Sequence, residues 1–420
     1  MRIETSQRSG GNVAVRLLEG VRVVEFALLE AGGVGTVLAD LGADVVKVER
    51  PGGGDYIRQV GWPFVNGVSL MHHHLGRGKR SLALDIQRPE GARLAARLVE
   101  ASDVVIEGMR PGVLARRGLG SAELRERHPA LVWCTVSGYG TTGPYAGLAA
   151  HGVAFDAWAG GLRLGTDERG FASAELNVPL GTRVAPLLAA SAILAAVLRA
   201  ARTGRGCAID IAQAEAAASV DWLTIEGHRA HLRPATEVTG NPSDGGVRRE
   251  PGTAGMGDSV RYQVYPSADG HVLIMATERK FWERFCHAVE RPDLLGDTPG
   301  GEVADHALGD HRLRAELTEI FRTRDTAGWI RLGLTADVPI APVNSPATLP
   351  ADPHFAARTP WLPAAEYGAD LLPLPVHLED EELARPSPAA TPGQHTDEVL
   401  TSLGVPASEL AELREAGVLG

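Results

Sequence analysis

Val21-Arg-Val-Val-Glu-Phe26, Ala31-Gly-Gly-Val-Gly35 and Asp44-Val-Val-Lys-Val-Glu49 are the segments whose reading decides the fold. The first and third are short runs rich in β-branched residues, which suit a pleated, buried surface. The glycines between them predict a turn over 31–35, and Val37 to Leu41 a helix. Strand, glycine-rich turn, helix and strand make a βαβ unit, the crossover that parallel strands require.

Outward from there the alternation repeats. Ser81 to Asp85 reads as a strand, a helix opens at Pro89-Glu90, and Asp103 to Glu107 and Leu131 to Val136 are further strands. A helix over Pro186 to Ala201, a strand over Cys207 to Ile211 and an Ala-rich helix from Gln213 follow. This predicts an α/β fold, a Rossmann-like large domain whose parallel sheet is covered on both faces. Residues 1–215 are its first part, and 216–257, rich in Pro, Gly, Asn, Asp and Arg from about Arg233 on, read as a linker and glycine-rich loop. Residues 258–335 read as a smaller α+β domain, with a hairpin of Tyr262 to Tyr265 and His271 to Ala276 turning at Asp269-Gly270. Helices over Glu278 to Val289 and His311 to Phe321 belong to it. Residues 336–420 are the return to the large domain, Pro-rich at first and closing with helices near Thr396 to Leu403 and Ser408 to Ala416.

Composition narrows the function. With 41 Lys and Arg against 52 Asp and Glu, the 420-residue chain has net charge −11, which excludes nucleic acid as a partner because phosphate backbones call for a basic face. No uninterrupted apolar run approaches the ~20 residues of a membrane helix, and Val184 to Leu198 reads as a core helix. The segment Met1 to Val15 has no apolar stretch, so no secretory signal is indicated and a cytoplasmic location is expected. Cys134, Cys207 and Cys286 lie far apart and read as free, buried thiols. His72-His-His74 is no metal site, because three consecutive side chains do not converge on one ion.

Gly33-Val-Gly35, with Glu49 ending the next strand, resembles a nicotinamide-binding fingerprint, but Leu38 occupies the place of its third glycine and the acidic residue comes too soon. The glycines then serve to turn the chain and admit some other ligand to a helix N-terminus.

Several segments in order point to that ligand: Leu18-Glu-Gly-Val-Arg-Val-Val-Glu-Phe26, Leu38-Ala-Asp-Leu-Gly-Ala-Asp-Val-Val-Lys-Val-Glu-Arg-Pro51, and Gly78-Lys-Arg-Ser-Leu-Ala-Leu-Asp85. Pro111-Gly112, Ser137-Gly-Tyr-Gly140 with Gly143-Pro144, Gly240-Asn241, Asp269-Gly270 and Gly393-Gln-His-Thr-Asp-Glu-Val-Leu400 complete the series. Together they resemble the class III CoA-transferases, the CaiB/BaiF type that includes formyl-CoA and carnitine CoA-transferases and α-methylacyl-CoA racemases. The resemblance implies a CoA-transferase acting on acyl-CoA and carboxylate substrates, with coenzyme A as substrate thioester and no metal. It also implies a homodimer of interlocked chains, with a heteromer as the alternative.

Coenzyme A carries phosphates, so its site needs a few placed cations. The resemblance assigns Arg50, Lys79 and Arg116 to that task, with Met109 lining the nucleotide pocket and Ser137 near the thioester. In such enzymes an aspartate attacks the thioester to form a mixed anhydride, which must be kept from water. The loops Asp244-Gly-Gly246 and Gly252 to Gly257 are candidates to cover it. Counting from Gly160-Gly161 and from Val178-Pro179, the family's aspartate falls on Gly170, so the usual nucleophile is displaced or absent. Asp167 and Glu168 are the nearest carboxylates to replace it, and Asp156 is a third. Racemisation by the usual acids is disfavoured, since Val153 and Pro266 occupy their places. Another acyl-CoA isomerisation, and a catalytically silent CoA-binding subunit, are the alternatives to transfer.

Overall fold

The computed structural model describes residues 14–175, 178–240, 246–248, 250, 256–296 and 304–420. The chain forms two units, one of residues 1–221 with 359–420 and the other of residues 222–358. In the first, strands β1 (Arg22–Ala27), β2 (Asp44–Glu49), β3 (Lys79–Ala83), β4 (Val104–Gly108), β5 (Val132–Ser137) and β6 (Ala208–Ala212) make one sheet. Its order is β3-β2-β1-β4-β5-β6, parallel throughout. That is the doubly wound arrangement, whose order reverses between β1 and β4.

Side chains alternate across a strand, so adjacent valines serve opposite faces. Val23 joins a core with Val45, Ile106 and Val132 beneath α1 (Gly33–Asp40) and the long helix α6 (Leu180–Thr203). Val24 joins the other, with Val46, Val105 and Trp133 beneath Pro89–Glu100 and the two last helices, Thr396–Ser402 and Ala407–Glu415. Both faces are thus covered, as the sequence predicts.

Four sequence expectations shift. The first unit runs to Asp221 and resumes at Thr359, rather than ending at 215 and resuming at 336: the helix expected from Gln213 continues to Val220, and Trp222–His231 is a further helix within the stretch expected as linker. Helix α1 starts at Gly33, not beyond a turn at 35. Gly35 is needed for closeness, since a Cβ there would lie 2.0 Å from Glu25 Oε2. Helix α6 begins six residues ahead of Pro186, which it tolerates internally although the missing N–H leaves the Thr182 carbonyl without its helical donor. Among the described residues α6 is also the one helix long and apolar enough to cross a membrane. Its inner face, including Ala185, Ala189 and Ile193, packs in the core. Of the three cysteines, all free, Cys207 is only half-buried.

The second unit holds a three-stranded antiparallel sheet of β7 (Tyr262–Pro266), β8 (His271–Met275) and β9 (Ile340–Pro342). Its core stacks Tyr265 on Phe321 at 4.9 Å, beside Phe285 and Trp329.

Beneath α1 lies a buried ionic cluster. Glu25 of β1, fully buried, sits in register with Lys47 of β2, whose Nζ is 3.0 Å from Glu25 Oε1 and 2.8 Å from Asp55 Oδ2. Lys79 Nζ lies 2.8 Å from Glu25 Oε2 and donates to the Gly32 carbonyl at 2.5 Å. Burial pushes the Lys79 ammonium down to about 8, against the pull of Glu25 and with the push of Lys47. Alongside, Arg58 grips both oxygens of Glu49 and donates to His72, whose pKa burial and this guanidinium lower to about 4. His72 is therefore a neutral acceptor.

Removing one partner of a buried ion pair strands the other charge, at a cost of ~3–5 kcal/mol. Glu25→Leu, which leaves two buried ammonium groups without their shared carboxylate, is expected to lower the unfolding free energy of the protein by about that amount in urea titrations.

Candidate functional site

The carboxyl ends of β1, β4, β5 and β6 open onto a cavity of about 930 Å³, at the place where the strand order reverses. Open α/β sheets bind ligands there because loops leaving adjacent strands in opposite directions leave a crevice. Each strand end contributes to the wall.

After β1 the backbone turns sharply through Leu29, whose φ of +53° is rare for a branched side chain. In the neighbouring loop after β2, the Asp55 carboxylate is locked onto Lys47. Glu30, the residue after Leu29, lines the cavity, with Tyr56 nearby. Burial raises the Tyr56 phenol pKa, helped by the charges of Asp55 and Glu30. After β4 come Met109, Arg110 and Arg116. Gly108 permits this approach, since a Cβ would lie 2.7 Å from that of Ala27 on β1. Neither Arg110 nor Arg116 has an ion-pair or hydrogen-bond partner for its guanidinium among the described residues.

The end of β5 supplies Ser137, buried, with an Oγ that has no hydrogen-bond partner among the described residues. Tyr139 follows and meets Tyr145, Phe155 and Trp158 edge-on at 5.7–6.2 Å between centroids. Tyr139 and Phe155 give the cavity an aromatic wall that a low aromatic content did not suggest. His151, Thr182 in the first turn of α6, and Gln213 after β6 complete the lining. Asp156 stands behind it, 1 % exposed. Its Oδ1 accepts from the backbone N–H groups of Leu180 at 2.7 Å and Gly181 at 3.3 Å, capping α6, while Oδ2 has no partner. That carboxylate satisfies donors that a helix N-terminus leaves open.

The structure brings together three of the residues expected to hold coenzyme A, Met109, Arg116 and Ser137. Arg50 is exposed just past β2, on the same edge of the sheet but outside the cavity lining. Lys79 is not available to a phosphate, because strand β3 begins with it and its ammonium points into the ionic cluster. Asp167 and Glu168 sit in the turn of an exposed hairpin, Arg163–Thr166 with Ala172–Glu175, and neither lines the cavity. Hydrogen bonds from the backbone of Phe171 and from Arg169 hold the Asp167 carboxyl below its usual range, so its oxygens are committed to the turn. Gly170 lies in the same turn with φ +85°. Thus the segment expected to carry the nucleophile runs outside the cavity, and the chain returns to its wall at Thr182. Of the two loops expected to cover the site, only Gly246, Met256 and Gly257 fall among the described residues. No cluster of metal-ligating side chains occurs among the described residues.

Glu30, Arg110, Tyr139, His151, Thr182 and Gln213 escaped the sequence reading. Glu30, Arg110, Tyr139 and Gln213 follow strands within three residues, so the rule that ligands meet the carboxyl ends of parallel strands marks them once the strands are known. The whole arrangement, two unpaired guanidinium groups, an aromatic wall, a free hydroxyl and one carboxylate, suits a ligand with an anionic part and an apolar part.

The sequence profile described as CoA-transferase family III matches residues 18–396. The chain is 32% identical over 406 residues to the succinate–glutarate CoA-transferase of Agrobacterium fabrum, covering 92% of this chain and 95% of that protein. It is 32% identical over 428 residues to the succinyl-CoA–D-citramalate CoA-transferase of Chloroflexus aurantiacus, covering 96% and 98%. The crystal structure of a CAIB/BAIF family protein from Brucella suis superposes with a TM-score of 0.71 at 29% identity, over 92% of this chain and 99% of that one.

Loss of a helix cap costs about 0.5–2 kcal/mol. Asp156→Ala should lower stability by about that much in urea unfolding, with Asp156→Asn less affected because an amide oxygen still accepts from Leu180.

Proposed function

Because the chain belongs to CoA-transferase family III, we propose that it moves CoA between an acyl-CoA thioester and a carboxylic acid, with dicarboxylic acids as its substrates. The observation that carries this reading is the cavity at the strand-order reversal, with Arg110 and Arg116 unpaired at the end of β4 and Ser137 buried at the end of β5. Guanidinium groups without carboxylate partners are ready for phosphate oxygens, which they bind in a planar, bidentate manner. We assign Arg116 and Arg110 to the CoA phosphates, with Met109 against the nucleotide and Arg50 at the outer edge. Lys79 supports the sheet instead. The Ser137 hydroxyl is a donor for the thioester carbonyl. Dicarboxylic substrates are suggested by the names of the two relatives, which act on succinate, glutarate and citramalate compounds. Proton exchange at the α-carbon is supported less well, since Val153 and Pro266 stand where the racemases carry acids.

We also propose that the protein works as a homodimer. Leu187, Leu188 and Leu198 lie on the outer face of α6 and are 41–52% exposed, an apolar stripe that a second copy of the chain would cover.

Three measurements check these readings. Succinyl-CoA incubated with the protein and a panel of dicarboxylic acids should give new thioesters by mass spectrometry, and solvent deuterium entering the α-carbon without CoA exchange would replace transfer with isomerisation. Arg110→Ala and Arg116→Ala should each weaken CoA binding by about tenfold or more in calorimetry, the loss of one charged hydrogen bond. Light scattering on the purified protein should give twice the chain mass, and a monomer would rule out the dimer.

A further inference from the structure

A transferase that works through an acyl anhydride needs a carboxylate in the cavity, and the sequence offers none at the expected place. Among the described residues lining the cavity there is one carboxylate, Glu30. We propose that Glu30 is the nucleophile of this chain, a reading that rests on the CoA-transfer function proposed above.

Three features single it out. Glu30 follows β1, and the sheet order reverses between β1 and β4, so it stands beside the strand end that carries Met109 and Arg110. Its carboxylate makes no hydrogen bond or ion pair among the described residues, whereas Asp156 and Asp167 are engaged and Glu168 does not line the cavity. Asp156 spends one oxygen on two N–H groups of α6 and does not line the cavity, and Asp167 spends its oxygens on a surface turn. The backbone that presents Glu30 is also unusual. Leu29, immediately before it, stands in the left-handed region with φ +53°. Backbone conformations of this kind persist where surrounding structure enforces them, and they gather at reactive sites.

The chemistry balances without any further reagent. A Glu30 oxygen attacks the thioester carbonyl carbon, the carbon–sulfur bond breaks, and CoA leaves as thiolate, giving a mixed anhydride. The thiolate then attacks the Glu30 carbonyl carbon, breaks its bond to the bridging oxygen and releases the donor carboxylate, leaving a glutamyl-CoA thioester. The acceptor carboxylate attacks that thioester and expels the thiolate, forming a second anhydride. Attack of the thiolate on the acceptor's acyl carbon yields the new acyl-CoA and frees Glu30 as carboxylate. A carboxylate suits both halves because it attacks and leaves with equal ease.

The test uses the full chain and its Glu30→Gln variant, which keeps the side chain's size. With succinyl-CoA, a dicarboxylic acceptor and hydroxylamine, the unaltered protein should acquire a hydroxamate that peptide mapping places on Glu30. Glu30→Gln should still bind CoA in calorimetry, which certifies its fold, and exchange CoA at least about a thousandfold more slowly. Glu30→Asp should retain a slow exchange and take the same label. If Glu30→Gln exchanges at the original rate, or if the hydroxamate falls on Asp156 or another acid, the assignment of Glu30 is wrong while transfer stands. If the unaltered protein binds CoA yet exchanges nothing, transfer itself falls, and the role of Glu30 with it.

Discussion

The Glu25 carboxylate, fully buried between the Lys47 and Lys79 ammonium groups, is the constraint on which the first unit depends. Three neighbouring strands each supply one of these charges, so the edge of the sheet comprising β1, β2 and β3 is fixed by electrostatics as well as by its ladder. A buried charge trio of this sort carries a large desolvation cost and gives little net stability over an apolar replacement. Its value lies in geometry. Lys79 reaches the Gly32 carbonyl at the foot of α1, and Lys47 reaches Asp55 in the loop after β2. Asp55 adjoins Tyr56, which lines the cavity. The chain of contacts therefore runs from the middle of the sheet to the loop after β2, which reaches the cavity wall at Tyr56.

Glycine fits into the same logic. The sequence suggests a turn at Gly33-Val-Gly35, since glycines commonly punctuate helices. The structure uses Gly35 within α1, because only a residue without a Cβ lets the helix lie on the Glu25 carboxylate. Sequence-local reasoning has no access to this. The partner that demands the glycine is ten residues away on a strand, and its demand comes from a charge no one would place in a core by pattern alone.

The strands of the large unit were legible because their β-branched runs are buried on both faces and bounded by turn residues. The hairpin of the second unit was legible from Asp269-Gly270 between two alternating runs, and β7 and β8 pair around it. Domain limits were less so. The region after Gln213 is rich in alanine and then in charged and aromatic residues, and its helices end only at His231, well into a stretch read as linker. Within the site, Met109, Arg116 and Ser137 were named through resemblance, and the structure sets all three on one cavity. Lys79 was not separable from them, because a lysine in a basic, glycine-flanked segment gives no sign that its ammonium is consumed by a glutamate 54 residues away. Arg110 was overlooked although it adjoins Met109.

Two carboxylates near the cavity illustrate how environment, rather than residue type, sets a role. Asp156 is the more deeply buried and the closer to the positive end of a 24-residue helix, which by position makes it an obvious candidate for chemistry. Yet its Oδ1 is engaged by two backbone N–H groups, and those bonds must weaken if its charge moves into a new covalent bond. Glu30 faces the opposite situation, on the cavity wall with no donor engaged. The same difference explains why the net charge of −11 does not argue against an anionic ligand. Many acids of this protein are engaged by arginines or helix ends, and what a phosphate or a thioester meets is decided by the few groups at the strand ends that have no partner of their own.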